Sequence, residues 1–231
     1  MEHGAMRCAF FMERKIIITA DGSHSIFIPE LDEHYHSVHG AIQESRHVFI
    51  EAGLKFVSAG KKEISILEMG LGTGLNAFLT LLEWKGQKIN YTALEAFPIA
   101  IEQAEALNYP ELLNAGEHRS IFQNIHTLEP GKAVELAPGF IFKKEITKFG
   151  DFRSSEQFDL IYFDAFAPRV QPELWTKEMF ERMFEALKPG GILVTYCAKG
   201  EVKRNMKAAG FRIERLPGPK GKREMTRAIK D

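Results

Sequence analysis

The chain has 231 residues, the size of one large α/β domain, and its 45% hydrophobic and 26% charged residues are ordinary for a soluble globular protein. Its net charge of -1 excludes a general electrostatic attraction to nucleic acid or to a membrane, and no apolar run approaches the ~18 residues that span a bilayer. Two cysteines, Cys8 and Cys197, cannot build a disulfide framework, so we expect reduced thiols and a cytoplasmic protein.

The first predicted elements form an N-terminal extension, residues 1–60, packed on a main domain, residues 61–231. The stretch KIIITADGSHSIFIPE (15–30) contains two β-rich runs joined by Asp21-Gly22, a dipeptide typical of hairpin turns. The stretch HSVHGAIQESRHVFIEAGLKFV (36–57) then places apolar residues mostly at helical spacing. The extension is therefore predicted to be a β-hairpin followed by a helix.

Strand and helix patterns alternate along the rest of the chain. The predicted strands are EISILEM (63–69), KINYTALEA (88–96), GFIFKKEI (139–146), FDLIYFDAF (158–166), GGILVTYC (190–197), RIERL (212–216) and EMTRAIK (224–230). The predicted helices are LNAFLTLLEWK (75–85), PIAIEQAEALNY (98–109), PELWTKEMFERMFEALKPGG (172–191) and KGEVKRNMKAAGF (199–211). Such alternation predicts a largely parallel sheet with helices on both faces, in which ligands bind outside the carboxyl ends of the strands.

The loop after the first of these strands is rich in glycine. Gly70, Gly72 and Gly74 have the spacing G-x-G-x-G, which differs from the dinucleotide pattern G-x-G-x-x-G. Glycines let the backbone approach a ligand closely, and the next helix offers free N–H groups to a carboxylate. Glu68 would repel a pyrophosphate but suits a cationic amine. The loop therefore predicts S-adenosylmethionine, whose amino-acid end carries both charges, rather than NAD.

Acids near the ends of the next strands complete the predicted site. Glu95 is placed to accept hydrogen bonds from both ribose hydroxyls, a device that NAD sites share. For the adenine end we prefer Glu145, because a helix or long loop fits between it and the next strand, and Asp151 is the alternative. Asp164 precedes a rigid Phe-Ala-Pro turn and is placed to orient a polar nucleophile beside the sulfonium methyl.

The N-terminal region holds further candidates. Tyr35, His39 and Glu44 are candidates for lining the same pocket. Five of the eight histidines fall between His24 and His47, but they have no cysteine partner nearby and their spacing fits no familiar zinc site. We therefore predict no metal.

Positive charge is concentrated at the end of the chain. Residues 199–231 contain eleven lysines and arginines against four acids, a net charge of +7, which leaves -8 for the remaining residues. Such asymmetry marks either a nucleic-acid contact face or a solvated last helix and strand pair, and composition alone does not separate the two.

Several of these motifs together resemble a known family. EMGLGTGLN (68–76) with FDAFAPxxxPxxW (163–175) resembles the tRNA 5-aminomethyl-2-thiouridine methyltransferases, which are the methyltransferase half of the bifunctional MnmC enzymes and their stand-alone relatives. DGSHSIFIPELDEHYHSVHGAIQESRHVFIEAGL (21–54), GGILVTYCAKGEVKRNMKAAGF (190–211) and GPKGKREM (218–225) extend the likeness over nearly the whole chain from about residue 16.

The resemblance implies a class I, Rossmann-like methyltransferase fold of seven strands, the last antiparallel. It implies S-adenosylmethionine as methyl donor, S-adenosylhomocysteine as product, and a cofactor site that includes Gly74, Asn76 and Tyr35. The implied substrate is wobble uridine bearing a 5-aminomethyl group, which becomes 5-methylaminomethyl-uridine with Asp164 as the catalytic residue. We expect no FAD and no oxidase activity, so other wobble-uridine modification enzymes must supply the aminomethyl precursor.

The implied partner is the anticodon stem-loop of tRNA, with Lys203, Arg204, Lys222 and Arg223 as candidate phosphate contacts. The alternative with the same fold is an aminopropyltransferase of the polyamine-synthase type or another small-amine methyltransferase. The aminopropyltransferase predicts an acidic pocket and gives the basic tail no role. A non-catalytic RNA-binding relative would not need Glu68, Glu95 or Asp164, and a dehydrogenase is disfavoured by the glycine spacing.

Overall fold

The computed structural model describes residues 12–83 and 86–231, so Cys8 lies outside the described residues. The N-terminal part is a three-stranded antiparallel sheet in the order β1-β2-β3, followed by a helical segment. Its elements are β1 (Lys15–Ile18), β2 (His24–Ile28), β3 (Glu33–His34), α1 (Ala41–Ser45), a π-helical stretch (Arg46–Leu54) and α2 (Lys55–Val57). The hairpin turns at Asp21-Gly22, as predicted.

The rest of the described chain forms an eight-stranded sheet with its helices. In chain order these elements are β4 (Glu63–Met69), α3 (Leu75–Leu82), β5 (Lys88–Glu95), α4 (Ile101–Glu105), α5 (Tyr109–Leu112), α6 (Arg119–Thr127), β6 (Ala133–Ala137), β7 (Phe140–Ile146), β8 (Phe158–Phe163), α7 (Lys177–Ala186), β9 (Leu187–Thr195), α8 (Gly200–Ala208), β10 (Arg212–Pro217) and β11 (Glu224–Ile229).

The strand order across the sheet is β10-β11-β9-β8-β4-β5-β7-β6. The five central strands are parallel, and β11 runs antiparallel to β9, which confirms the predicted architecture. The eighth strand, β6, was not predicted. It adds to the edge of β7 through the Pro138-Gly139 turn, and because none of its residues is fully buried it lacks a strong hydrophobic pattern.

Two predicted helices differ clearly in extent. Of the predicted helix 172–191, residues 172–175 form a 3-10 turn, α7 covers Lys177–Ala186, and residues 187–191 belong to β9. Residues 98–109 do not form a single helix, because Ala100 has an extended backbone and α4 covers only Ile101–Glu105. At the start of α7 the Met179 N–H donates to Thr176 Oγ1 at 3.3 Å, so Thr176 caps this helix.

Both faces of the sheet are buried. Leu160 and Tyr162 of β8 join the core cluster that contains the N-terminal helical segment and α3, whereas Ile161 and Phe163 join the cluster that contains α7 and α8. Alternate residues of one strand therefore serve opposite cores, as expected for a sheet covered on both faces. Over residues 12–83 and 86–231, no helix combines the length and the apolar character needed to cross a membrane.

Candidate functional site

A cavity of about 1220 Å³ opens at the carboxyl ends of β4, β5 and β8. The loops after these strands form its base, the turn after β7 forms one side, and residues 33–39 of the N-terminal part line it as well. From β4 the chain first adds β5 and β7 on one side and then β8 and β9 on the other. Ligands bind at such a switch point in open α/β sheets. The volume is sufficient for a nucleotide-sized cofactor together with an acceptor group.

The glycine loop approaches the cavity with bare backbone. Gly70 has φ +96°, and a Cβ added there would lie 2.8 Å from the backbone carbonyl oxygen of Asp164. Gly72 has φ +51°, and a Cβ added there would lie 3.0 Å from the Tyr35 ring. Only glycine fits both positions, because a side chain would meet neighbouring protein atoms, and the loop therefore presents bare backbone to the cavity. We call this exposed backbone the glycine cradle.

Glu95 fixes this loop from the end of β5. The Gly72 N–H donates to Glu95 Oε2 and the Phe97 N–H donates to Glu95 Oε1, both at 2.8 Å. A carboxylate oxygen has two lone pairs, and Glu95 lines the cavity, so each oxygen can accept a further hydrogen bond from a ligand hydroxyl.

Glu68 lies below the cavity rather than in its wall. It is fully buried in β4, and among the described residues neither carboxyl oxygen has a hydrogen-bond partner. Burial raises the pKa of Glu68 well above its ordinary value, and the nearby Tyr91 hydroxyl and Asn76 amide offset this only in part. Glu68 is not among the cavity-lining residues, and the predicted contact with a cationic amine stays a prediction.

Two other predicted residues also lie outside the cavity lining. A Cβ added to Gly74 would lie 2.8 Å from His126 Nε2, so Gly74 serves the packing of α3 against α6. Glu145 lies inside β7, where it forms an ion pair with Lys143. Asp151, in the turn after β7, does line the cavity. Of the two alternatives for the adenine end, Asp151 lines the cavity and Glu145 does not, and the adenine contact itself stays a prediction.

Asp164 and Asn76 form the polar centre of the cavity. The Asn76 side-chain Nδ2 donates to Asp164 Oδ2 at 2.8 Å. Burial raises the pKa of Asp164 to about 7, with a smaller contribution from the negative charge of Glu44, while Asn76 and Lys222 act in the opposite direction. Part of the Asp164 surface faces the cavity, so water there screens the charge. A carboxyl group with this pKa can exchange a proton near neutral pH.

The N-terminal candidates Tyr35, His39 and Glu44 all line the cavity. The Tyr35 ring lies over Gly72 and packs edge-on against Phe166, with ring centroids 5.1 Å apart. The N-terminal part is thus a wall of the cavity and not a separate module.

Three lining residues were not singled out from the sequence. Arg14 donates to the backbone carbonyl oxygens of Phe97 and Pro98, each at 2.8 Å. His36 is kept neutral, because burial lowers its pKa to about 4. The Tyr196 hydroxyl donates to the backbone carbonyl oxygen of Ala165 at 2.9 Å. Only His36 could have been found from the sequence, because it adjoins Tyr35. Arg14 and Tyr196 reach the cavity through tertiary packing alone.

The four predicted phosphate contacts divide into two pairs. Lys203 forms an ion pair with Glu224 at 3.2 Å, and Lys222 forms one with Glu44 at 2.6 Å. Arg204 and Arg223 are exposed and, within the described part of the chain, form no ion pair. Only these two arginines are free to meet phosphate without first giving up a carboxylate.

No three His, Cys, Asp or Glu side chains of residues 12–83 and 86–231 are grouped so that they could hold a metal ion. Cys197 is buried, with a free thiol.

A family model described as S-adenosyl-L-methionine-dependent methyltransferase matches residues 119–231. The tRNA 5-methylaminomethyl-2-thiouridine biosynthesis bifunctional protein MnmC of Cupriavidus necator is 29% identical over 235 residues, which cover 91% of this chain and 33% of that protein. The protein of the same name from Aromatoleum aromaticum is 31% identical over 207 residues, which cover 84% of this chain and 32% of that protein. The chain thus spans about a third of the length of these curated relatives.

Among solved structures, MnmC2 from Aquifex aeolicus superposes with a TM-score of 0.74 at 24% identity, covering 98% of this chain and 76% of that one. Spermidine synthase from Thermotoga maritima superposes with a TM-score of 0.53 at 14% identity, covering 95% and 74%. These likenesses concern the fold. Together with the sequence matches they confirm the resemblance: the chain is homologous to the methyltransferase region of the MnmC proteins and has the fold of class I S-adenosylmethionine-dependent methyltransferases.

Proposed function

We propose that this protein uses S-adenosylmethionine to methylate the 5-aminomethyl group of wobble uridine in tRNA, giving 5-methylaminomethyl-uridine. The observation that carries the proposal is the Asp164–Asn76 pair beside the glycine cradle, in a chain homologous to a region of proteins named for this biosynthesis. We further propose that the anticodon stem-loop is the part of tRNA that docks, and that other enzymes supply the aminomethyl precursor.

The cavity fits the cofactor on its own chemistry. The cradle at Gly70 and Gly72 would accept the amino-acid end, the remaining lone pairs of Glu95 would accept the ribose hydroxyls, and Asp151 would meet the adenine end. When bound, S-adenosylmethionine supplies a methyl group activated by a positively charged sulfonium.

The protein must remove a proton from the reacting amine. A primary amine is mostly protonated at neutral pH and must lose a proton before it can act as a nucleophile. Asp164 is the carboxyl group of suitable pKa in the cavity, and Asn76 holds one of its oxygens by a hydrogen bond. We assign Asp164 as the group that accepts this proton and Asn76 as the residue that orients it. Once the cofactor and the acceptor fill the cavity, its walls would hold the acceptor in line and exclude water.

We expect Arg204→Ala combined with Arg223→Ala to weaken tRNA binding about tenfold at physiological salt and to reduce the salt dependence by roughly two phosphate contacts. Both arginines are exposed and have no ion pair among the described residues, so their charge is available to phosphate. Filter binding at several salt concentrations measures the effect. The matched control is Lys203→Ala, since Lys203 is already paired with Glu224; an equal loss in the control would refute this division of the basic residues.

The direct test of the function is methyl transfer from labelled S-adenosylmethionine to bulk tRNA from cells that lack the protein, followed by nucleoside analysis. Label in 5-methylaminomethyl-uridine is the expected result. Label in a different nucleoside would support the methyltransferase activity but would reject 5-aminomethyl-uridine as the substrate. If no tRNA were labelled although the protein still bound the cofactor, tRNA would be rejected as the substrate, and small amines would be tested as acceptors.

One observation is also compatible with the aminopropyltransferase alternative. The cavity is lined by more carboxylates than cations: Glu33, Glu44, Glu95, Asp151, Asp164, Glu173 and Glu178 against Arg14, Lys148, Arg182 and Lys222. An acidic lining suits any cationic amine, including an aminomethyl group, so it does not separate the two functions. Calorimetry does, because an aminopropyltransferase would prefer decarboxylated S-adenosylmethionine to the intact compound.

A further inference from the structure

The side-chain cation of Lys222 lines the cavity and contacts two other lining residues. The Lys222 ammonium lies 2.6 Å from Glu44 Oε1 and 4.0 Å from the centroid of the Tyr196 ring, over its face. All three residues line the cavity. A carboxylate and an aromatic face, both directed at one ammonium group, form a cation cage.

The two walls of this cage are held by the fold and not by Lys222. The Ser37 N–H donates to Glu44 Oε2 at 2.7 Å, and Glu44 is only 7% exposed. The Tyr196 hydroxyl is held by its hydrogen bond to Ala165. The cage therefore keeps its shape if the ammonium leaves, whereas the lysine is a flexible side chain that is about one-third exposed (34%).

The cage adjoins the proton acceptor. The hydrogen bond from Tyr196 ends on the carbonyl of Ala165, the residue after Asp164. The charges of both Glu44 and Lys222 reach Asp164, where the first raises and the second lowers its pKa. A cation held in the cage is thus within electrostatic reach of the carboxyl group that must take its proton.

Lys222 is a primary alkylammonium, and so is the protonated aminomethyl group of the proposed acceptor. We propose that the Glu44 carboxylate and the Tyr196 ring face form the subsite for the acceptor's aminomethyl group, and that Lys222 occupies this subsite until the acceptor displaces it. The inference rests on the proposed function for the identity of the amine. The displaced Lys222 becomes free to meet a tRNA phosphate, which gives this residue a role in both states.

The first experiment compares two nucleosides by calorimetry on the full chain saturated with S-adenosylhomocysteine. 5-Aminomethyluridine carries the ammonium, and 5-hydroxymethyluridine has the same shape without it. We expect the amine to bind at least about tenfold more tightly, and Glu44→Gln to remove this preference, since a charged hydrogen bond is worth about that factor. Tyr196→Phe retains the ring and should retain the preference, whereas Tyr196→Leu should reduce it.

The second experiment removes the Lys222 ammonium from the cage. Lys222→Met is expected to bind 5-aminomethyluridine about threefold more tightly than the wild type, because the competing ion pair is gone. Lys203→Met is the matched control, since it removes the same charge from an ion pair outside the cavity. Its affinity for the nucleoside should equal that of the wild type. Because the Lys222 variant leaves both cage walls in place, it tests the proposal even if Glu44→Gln fails to fold.

The outcomes separate this inference from the function on which it rests. An unchanged preference in Glu44→Gln, or weaker amine binding in Lys222→Met, would overturn the cage while leaving methyl transfer to tRNA intact. The protein could instead fail to methylate tRNA and still prefer the charged nucleoside in a way that depends on Glu44. That result would overturn the tRNA assignment and retain the cage for another primary amine.

Discussion

Replacing Asp164 by asparagine is expected to lower kcat for methyl transfer about 10²- to 10⁴-fold, the usual contribution of a positioned proton acceptor. The amide has nearly the same shape but cannot take a proton from the amine. Because the substitution changes only the side chain and leaves in place the Asp164 backbone that packs against Gly70, the affinity for S-adenosylhomocysteine should change little. Single-turnover transfer and calorimetry measure the two quantities. Asp151→Asn is the matched control, expected to weaken cofactor binding without a comparable loss of kcat.

The same variant should alter the pH profile. Since the pKa of Asp164 is about 7, the wild-type kcat/KM should rise with pH up to about that value and then level off. Asp164→Asn should lose this limb. A wild-type profile that is flat between about pH 6 and pH 8 would contradict the assigned role, as would an Asn variant that keeps the limb.

Stability gives an independent readout. The folded-state pKa of Asp164 is raised from 3.8 to about 7, so the folded protein binds this proton more tightly than the unfolded chain does. The carboxyl group therefore destabilises the fold increasingly as pH rises from its unfolded value to its folded value. Asp164→Asn removes that cost. We expect its gain in Tm to be larger at about pH 8.5 than at about pH 5, by roughly 2–6 °C after allowance for screening by cavity water.

The positions of Glu95 and Asp164 were predictable from the sequence because they depend on local pattern. Each follows an apolar strand of a parallel sheet, and the carboxyl ends of such strands meet at one edge. Glu68 shows the limit of that reasoning. A strand pattern shows that an acid is present but not how far below the surface it lies, and Glu68 lies under the floor of the cavity.

The remaining differences arise from strand ends and from distant partners. The predicted strand 139–146 ends at Ile146, as β7 does, so Glu145 lies inside the strand. Asp151 reaches the cavity through the turn that follows, and a strand pattern does not predict the path of that turn. The pairing of Lys222 with Glu44 joins positions 178 residues apart in the chain. From composition alone, Lys222 was predicted to be a positive charge available to phosphate. Only the folded chain shows that Glu44 neutralises it.

Gly70→Ala is expected to reduce cofactor affinity at least about tenfold and to destabilise the fold by about 3 kcal/mol. About 1 kcal/mol comes from the left-handed backbone, and the rest comes from the displaced neighbour. The new methyl group would lie 2.8 Å from the Asp164 backbone carbonyl, a contact that cannot relax by side-chain rotation. Moving either chain segment also shifts Asp164 itself. Calorimetry with S-adenosylhomocysteine and thermal unfolding measure the two losses.

Gly60→Ala isolates the close approach from the backbone strain. Gly60 also has a left-handed backbone, with φ +75° against +96° at Gly70, but an added Cβ there would meet nothing within 4 Å. We expect it to lose only about 1 kcal/mol and to bind the cofactor normally. If Gly70→Ala matched Gly60→Ala in both measurements, the loop would tolerate a side chain at position 70. The close approach to Asp164 would then not be the reason for glycine there. If Gly70→Ala lost affinity far beyond its loss of stability, the backbone approach at Gly70 would be specific to ligand binding.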